Sequence, residues 1–130
     1  MENQSIIIDT SIFIDYFRKK NKKKSILYTL STRFNLATSA VCYFEVFAGA
    51  KDSDIDFLYK MFGNIQIFTF DIASAHKASL IYQLLRKENK LIDFRDLFIA
   101  SAALIHDQPL ATLNEKHFER IPNLKLFSLD

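Results

Sequence analysis

The 130-residue sequence predicts an α/β fold in which helices flank both faces of a central, mostly parallel sheet of four to five strands. Short apolar runs alternate with helical patterns along the whole chain. The first run, Ile6-Ile7-Ile8, has no polar alternation, which is typical of a strand buried on both faces. Thirteen Phe against two Gly and two Pro further indicate a helix-rich chain with short loops.

The first half of the chain contains two predicted strands and four predicted helices. Ser39 is a typical N-cap residue, and Gly49 is a typical residue at a helix end. The elements, in order, are strand 5–8, helix 11–19, helix 25–33, strand 35–38, helix 40–49 and helix 53–62.

The second half continues the alternation, with Asp71 as the cap of its longest helix. Its elements are strand 65–70, helix 72–88, helix 94–106, strand 110–112, a turn or short helix over 114–119, and strand 124–127. Because no linker or internal repeat divides the chain, the prediction is a single domain over residues 1–130.

Composition excludes several classes of function. The single cysteine, Cys42, excludes an internal disulfide and a cysteine-rich zinc site, and we expect it to be a small buried helix residue. No apolar stretch reaches the roughly 18–20 residues that a membrane span requires, and the N-terminus does not resemble a signal peptide. The expected compartment is therefore the cytoplasm. A net charge of +2 says little about partners.

Three acidic residues stand in strongly apolar surroundings. Asp9 ends the first apolar run, Glu45 interrupts the stretch 40–48, and Asp96 opens the stretch 96–105. A buried carboxylate is costly unless it is paired, protonated or bound to a metal ion. If the three converge at the carboxyl edge of the sheet, they form an all-oxygen site for a hard divalent cation.

Each acid also has a purely structural interpretation. Asp9 can cap the helix that follows it, and Glu45 can form a salt bridge at the edge of an apolar stripe. Asp96 can stabilise the first turn of its helix through the helix dipole, and Asp93 can cap the same helix. These three interpretations have to hold together, which favours the metal site.

In four segments the chain resembles PIN-domain ribonucleases, and in particular the toxins of VapBC-type toxin–antitoxin pairs. The order and spacing of the segments agree over essentially the whole chain. The segments are Ile6 to Ser11, Ser39 to Gly49 around Glu45, Asp96 to Ala103, and Leu110 to Phe118.

The resemblance implies a PIN-like α/β/α sandwich and places Asp9, Glu45 and Asp96 in the acidic metal site of the family. Asp93 is the alternative for the third position, but the phrase Asp-x-x-Ile-Ala favours Asp96. The implied cofactor is Mg²⁺, or Mn²⁺ in its place. Two of the acids can bind the ion directly, while the third orients water or acts as a base.

At the fourth position, where the family often has an acid, this chain has Asn114, with Glu115 beside it. Asn114 can contribute one neutral oxygen, so the resemblance assigns it to the catalytic set and leaves open whether one or two metal ions bind. Ser11 and Thr112 match the supporting hydroxyl residues of the family.

The implied partners are an RNA substrate, a cognate antitoxin of the VapB type and a second copy of the chain. The N-terminal helices carry more large apolar side chains than a small sheet readily covers, so we expect an apolar groove there for the antitoxin. These side chains are Ile12, Phe13, Tyr16, Phe17, Ile26, Leu27, Tyr28, Phe44, Phe47, Phe57, Leu58 and Phe62.

Two other classes of function compete. A receiver-like regulatory domain also places an acid after its first strand, but it needs a second acid there and a late lysine, whereas this chain has Thr10 and Ser11. A dehalogenase-type phosphatase needs an aspartate where Ser11 stands. The remaining alternative is a non-catalytic PIN-like module that binds RNA. For that role, the basic run 18–24 is either a phosphate-binding patch or a solvated surface segment.

Overall fold

The computed structural model describes residues 4–129, so residues 1–3 and 130 of the predicted domain lie outside the described part. The strands are β1 (Ser5–Ile8), β2 (Asn35–Ser39), β3 (Gln66–Phe68) and β4 (Leu110–Ala111). The helices are α1 (Thr10–Arg18), α2 (Ile26–Ser31), α3 (Ala40–Ala48), α4 (Ile55–Phe62), α5 (Ile72–Lys87), α6 (Phe94–Ile105) and α7 (Glu115–Phe118). Short 3-10 turns cover Lys22–Lys24 and Asp52–Asp54.

The four strands form one parallel sheet in the order β3-β2-β1-β4, which confirms the predicted fold class. Ile7 lies beside Ala37 of β2 on one side and Leu110 of β4 on the other. Because all strands run the same way, the residues that follow β1 and β4 emerge at the same edge of the sheet. Asp9 and Thr112 are those residues.

The sheet is buried on both faces, as the unbroken apolar run of β1 predicts. Ile7 faces a core shared with α5 and α6, whereas Ile6 and Ile8 face a second core built with α1, α2 and α4. Helix α3 contributes to both cores, through Cys42 to the first and Val46 to the second. Cys42 is fully buried, as expected.

The predicted fifth strand over 124–127 is reduced to a single parallel bridge between Leu110 and Leu126. Leu110 donates its backbone N–H to Lys125, and Phe127 donates to Leu110, each at 2.9 Å. The partner strand β4 is only two residues long, so it offers little more backbone for pairing. Asn123, three residues before Leu126, has a positive φ of 68°.

Helix caps follow the predicted chemistry. The Ser39 hydroxyl accepts a hydrogen bond from the Cys42 N–H at 3.2 Å, and the Asp71 carboxylate accepts one from the Ser74 N–H at 2.9 Å. Gly49 is the C-cap of α3. Ser39 is also the last residue of β2, so α3 starts at the carboxyl edge of the sheet without a loop, and Glu45 lies in its second turn. Within residues 4–129, no helix is long and apolar enough to span a bilayer.

Candidate active site

Asp9 lies at the meeting of two strand ends. It follows β1 directly, it is only 3% exposed, and its N–H donates to the Ala111 carbonyl at 3.0 Å. It occupies the N-cap position of α1, yet its side chain makes no capping hydrogen bond to the helix. The carboxylate instead accepts two hydroxyl hydrogen bonds at Oδ2, from Ser11 at 2.8 Å and Thr112 at 2.7 Å.

The two hydroxyls are themselves oriented by the backbone of the loop after β4. Leu113 donates its N–H to Ser11 Oγ, and Asn114 donates its N–H to Thr112 Oγ1, each at 3.0 Å. Since their oxygens accept from these amides, both hydroxyl protons are directed toward Asp9. The carboxylate is therefore held through one oxygen, and its second oxygen, Oδ1, is the candidate cation ligand.

Asp96 lies in the first turn of α6, beside an apolar stripe that includes buried Ile99 and Ala100. Burial raises the pKa of Asp96, and the charges of Asp9 and Asp93 raise it further, whereas His117 opposes the shift. His117 Nδ1 lies 3.5 Å from Asp96 Oδ2. The charge of Asp9 thus contributes to the raised pKa of Asp96, second to burial.

Glu45 has a hydrogen-bond partner on each carboxylate oxygen. Thr10 donates its hydroxyl to Oε1 at 3.0 Å, and Arg95 donates from Nη1 to Oε2 at 2.9 Å. The Arg95 guanidinium also reaches Asp93, with Nη2 lying 3.4 Å from Asp93 Oδ2. Glu45 is the largest cause of the raised pKa of Arg95. Glu45 therefore forms the salt bridge that its structural interpretation predicts, and Arg95 is its partner.

The alternative residues lie further out. Asp93 is the N-cap residue of α6, makes no capping hydrogen bond through its side chain, and is largely exposed. Asn114 is exposed and contributes its backbone N–H to Thr112, while Glu115 opens α7. Asp96 rather than Asp93 therefore occupies the more buried position of the two.

The donor set has the chemistry of a hard-cation site. Asp9, Glu45, Asp96 and Asn114 offer only oxygen ligands, which Mg²⁺ and Mn²⁺ prefer. Burial is the largest cause of the raised pKa of Asp96, and the charges of Asp9 and Asp93 add to it; a bound cation would relieve this repulsion. As the side chains stand, no three His, Cys, Asp or Glu residues within 4–129 are grouped to hold a metal ion. A cation shared by three carboxylates therefore remains a prediction.

Three further side chains belong to the site and were not assigned to it from the sequence. Thr10 and Arg95 hold Glu45, and His117 lies against Asp96. A cation between two acids, as in Asp93-Phe-Arg95-Asp96, is the local signal that could have identified Arg95. Thr10 carries no such signal, because its partner is 35 positions away.

A groove of about 740 Å³ runs from the site across α1, α3 and α4. Its polar end contains Thr10 and Glu45, and its apolar walls include the exposed rings of Phe17 and Phe57. Several of the apolar residues expected on this surface are in the core instead: Ile12, Phe13, Leu27 and Phe62. Leu58 is also buried but forms part of the groove wall.

Lys22, from the basic run, also lines this groove. Its ammonium group donates to the carbonyls of Tyr16 and Phe17 at 2.7 and 3.1 Å and lies 4.8 Å from the centre of the Tyr16 ring. Part of the basic run is thus used within the chain, to join the segment after α1 to the wall of the groove.

Solved structures share this architecture. VapBC2 from Rickettsia felis, bound to a DNA fragment from its promoter, aligns with a TM-score of 0.82 at 24% identity over 98% of this chain and 100% of that chain. A toxin–antitoxin complex from Klebsiella pneumoniae aligns with a TM-score of 0.70 at 28% identity over 92% of this chain and 94% of that chain.

Sequence comparisons agree with the structural ones. Ribonuclease VapC1 of Methanocaldococcus jannaschii is 33% identical over 126 residues, covering 96% of this chain and 87% of that protein. Ribonuclease VapC19 of Mycobacterium tuberculosis is 30% identical over 122 residues, covering 92% of this chain and 96% of that protein. Residues 6–124, which include all the site residues described above, match the family model of the PIN domain. The chain therefore belongs to the PIN domain family.

Proposed function

We propose that this protein is a metal-dependent endoribonuclease that hydrolyses RNA phosphodiester bonds in the cytoplasm, as the toxin of a toxin–antitoxin pair. The observation that carries the proposal is the position of Asp9. It is a buried carboxylate that two hydroxyls orient at the carboxyl edge of a parallel sheet. Its charge contributes to the raised pKa of Asp96. Relatives at 30–33% identity bear the name ribonuclease.

The residues present suit phosphodiester hydrolysis, which concentrates negative charge on the phosphoryl group in the transition state. When bound, Mg²⁺ or Mn²⁺ supplies the countercharge and lowers the pKa of a water ligand. We assign direct cation binding to Asp96 and to Asp9, whose charge contributes to the raised pKa of Asp96. Glu45 and Asn114 would orient the attacking water, with Glu45 as the group that accepts its proton.

The direct test is cleavage of RNA by the purified protein with EDTA, Mg²⁺ or Mn²⁺, followed by mapping of the cut sites. Asp9→Asn and Asp96→Asn should abolish metal-dependent cleavage and growth arrest, because each removes a charge that holds the cation. Asn114→Ala should have a milder effect, since a neutral amide contributes less to cation binding.

Asp107→Asn is the matched control, since Asp107 is an exposed acid paired with Lys125 away from the site. Cleavage that persists in EDTA, or that survives both Asp9→Asn and Asp96→Asn, would contradict the proposed chemistry. A metal-loaded protein that binds RNA and leaves it intact would support the alternative of a non-catalytic RNA-binding module.

We further propose that the groove across α1, α3 and α4 holds a cognate antitoxin of the VapB type. The neighbouring folds include VapBC complexes, and amphipathic segments commonly dock in apolar grooves of this kind. Because Glu45 lies at the polar end of the groove, a basic side chain of the antitoxin could reach the site carboxylates. Occupation of the groove would then inhibit the enzyme.

A homodimer is the second assembly we propose. A separate group of aromatic side chains outside the groove, Phe70, Phe94 and Phe98, supports it. Their rings contact one another at centroid distances of 4.4 and 6.4 Å, and both Phe70 and Phe94 are exposed. Sedimentation velocity at micromolar concentration should show a dimer that Phe94→Ser weakens. A strictly monomeric wild-type protein would contradict it.

A further inference from the structure

The first turn of α6 places an arginine where a metal ion would compete with it. Arg95 directly precedes Asp96, and its guanidinium lies between Glu45 and Asp93. Its side chain is 62% exposed, whereas that of Glu45 is only 18% exposed. Arg95 therefore covers the solvent side of a carboxylate that belongs to the site.

Both oxygens of Glu45 are engaged in this arrangement. Oε1 accepts the Thr10 hydroxyl, and Oε2 accepts the Arg95 guanidinium. A carboxylate has further lone pairs, but a divalent cation and a guanidinium on the same carboxylate repel each other at close range. A cation held by Asp9 and Asp96 next to Glu45 would meet the same repulsion, so its binding favours movement of Arg95 away from Glu45.

Arg95 has a second partner that makes this movement possible. Asp93 Oδ2 lies 3.4 Å from Nη2, and its side chain is 70% exposed on the outer side of the site. The guanidinium can remain on Asp93 after it leaves Glu45, so its charge need not be left unpaired. Because the pair is exposed to solvent, its strength is limited and the exchange is reversible.

We propose that Arg95 is an internal counter-ion that neutralises Glu45 in the metal-free protein and is displaced when a divalent cation binds. Arg95 thereby lowers the affinity of the site for metal and keeps its carboxylates balanced while the site is empty. The proposal rests on the proposed metal-dependent function, because it assigns Arg95 a role toward the same cation.

The test measures Mn²⁺ affinity in the absence of RNA, from the loss of the electron paramagnetic resonance signal of free Mn²⁺. Arg95→Gln should bind Mn²⁺ about two- to fivefold more tightly than the wild type, the range expected for losing an exposed competing ion pair. The matched control is Arg86→Gln, which removes the same charge from α5, where Arg86 lies over the Tyr82 ring, 5.6 Å from its centre.

The outcomes separate this proposal from the proposed function. If Arg95→Gln and Arg86→Gln have the same Mn²⁺ affinity, or if Arg95→Gln binds more weakly, the counter-ion role is wrong while the metal site stands. If the wild type and Asp96→Asn bind Mn²⁺ equally, or neither binds it, the metal site itself is wrong. Circular dichroism of each variant checks the fold, which the exposed position of Arg95 should leave intact.

Discussion

At the residue scale, the two carboxylates at the edge of the sheet have opposite surroundings. Asp9 accepts two hydroxyl hydrogen bonds, which stabilise its charge inside the protein. Asp96 lies in a partly buried position where desolvation and the charge of Asp9 both disfavour ionisation. The same substitution should therefore have different effects on stability at the two positions, although both residues belong to the proposed metal site.

Thr112→Val tests the hydroxyl support of Asp9. Valine keeps the shape of the side chain but removes the donor to Asp9 Oδ2, and hydrogen bonds to buried charged groups contribute about 1–3 kcal/mol. We expect the free energy of unfolding to fall by about this amount, measured by urea titration, with RNA cleavage reduced as well. Thr112→Ser keeps the hydroxyl and should retain most of both. Stability that is retained in Thr112→Val but lost in Thr112→Ser would show that packing of the methyl group, rather than the hydrogen bond, matters.

Asp96→Asn tests how much the ionised Asp96 carboxylate destabilises the metal-free protein. Because the pKa of Asp96 is raised in the folded protein, ionisation of Asp96 at neutral pH lowers stability, and protonation removes that penalty. In EDTA at pH 7, we expect the Tm of Asp96→Asn to exceed that of the wild type by a few degrees. The gain should shrink as the pH falls toward the unfolded-state pKa of about 3.9. A lower Tm at pH 7 would mean that the contact with His117 outweighs desolvation.

At the element scale, most of the fold could be predicted because the local signals agree with one another. The unbroken run Ile6-Ile7-Ile8 predicts the central strand, and Ser39 and Asp71 predict the starts of α3 and α5. The fifth strand is shorter than predicted, because the segment Leu-Lys-Leu-Phe over 124–127 does not reveal that its partner β4 offers only two residues.

The same limit applies to the site. Each acid could be found from its own apolar neighbours, since the cost of burying charge is a local property of the sequence. The two acids beside Arg95 mark it as a paired cation, but its pairing with Glu45 could not be found in this way, because Arg95 and Glu45 are 50 positions apart and meet only when α6 packs beside α3. Periodicity predicts which face of a helix is buried, but it does not predict which exposed side chains of two helices come into contact.

Ser39→Ala tests how α3 is anchored to the sheet. The Ser39 hydroxyl accepts the Cys42 N–H at the point where β2 becomes α3, so alanine leaves a buried helix start without its cap. We expect a loss of about 1 kcal/mol in the free energy of unfolding, measured by urea titration. Ser79→Ala is the control, because Ser79 is an exposed serine within α5 and should change stability by less than about 0.5 kcal/mol. Equal effects of the two variants would contradict the capping role.

At the scale of the whole molecule, the sheet divides the surface into regions with different proposed tasks. The carboxyl edge holds the acids, the groove over α1, α3 and α4 leads away from Glu45, and the aromatic group with Phe94 lies outside that groove. Substitutions in one region should therefore leave the others intact.

Phe57→Ser tests the separation of antitoxin binding from catalysis. Its ring lines the groove and stacks 6.0 Å from the Tyr16 ring, so serine removes apolar contact area without touching a carboxylate. We expect cleavage by the isolated variant to match the wild type, while rescue of growth by the co-expressed antitoxin is lost. Ile72→Ser is the control, since Ile72 is 86% exposed and lies outside the groove. Full rescue of Phe57→Ser by the antitoxin would place the antitoxin elsewhere.

The hydrogen bond from Thr112 to Asp9 also has a consequence during synthesis of the chain on the ribosome. Its two residues are 103 positions apart, so the carboxylate cannot be oriented until nearly the whole chain has left the ribosome. At synthesis rates of about 5–20 residues per second, this delay lasts roughly 5 to 20 seconds. A nascent chain that lacks β4 should therefore be inert toward RNA, including the messenger and the ribosome that are producing it. Under the proposed function, synthesis of the toxin would in this way be completed before its activity begins.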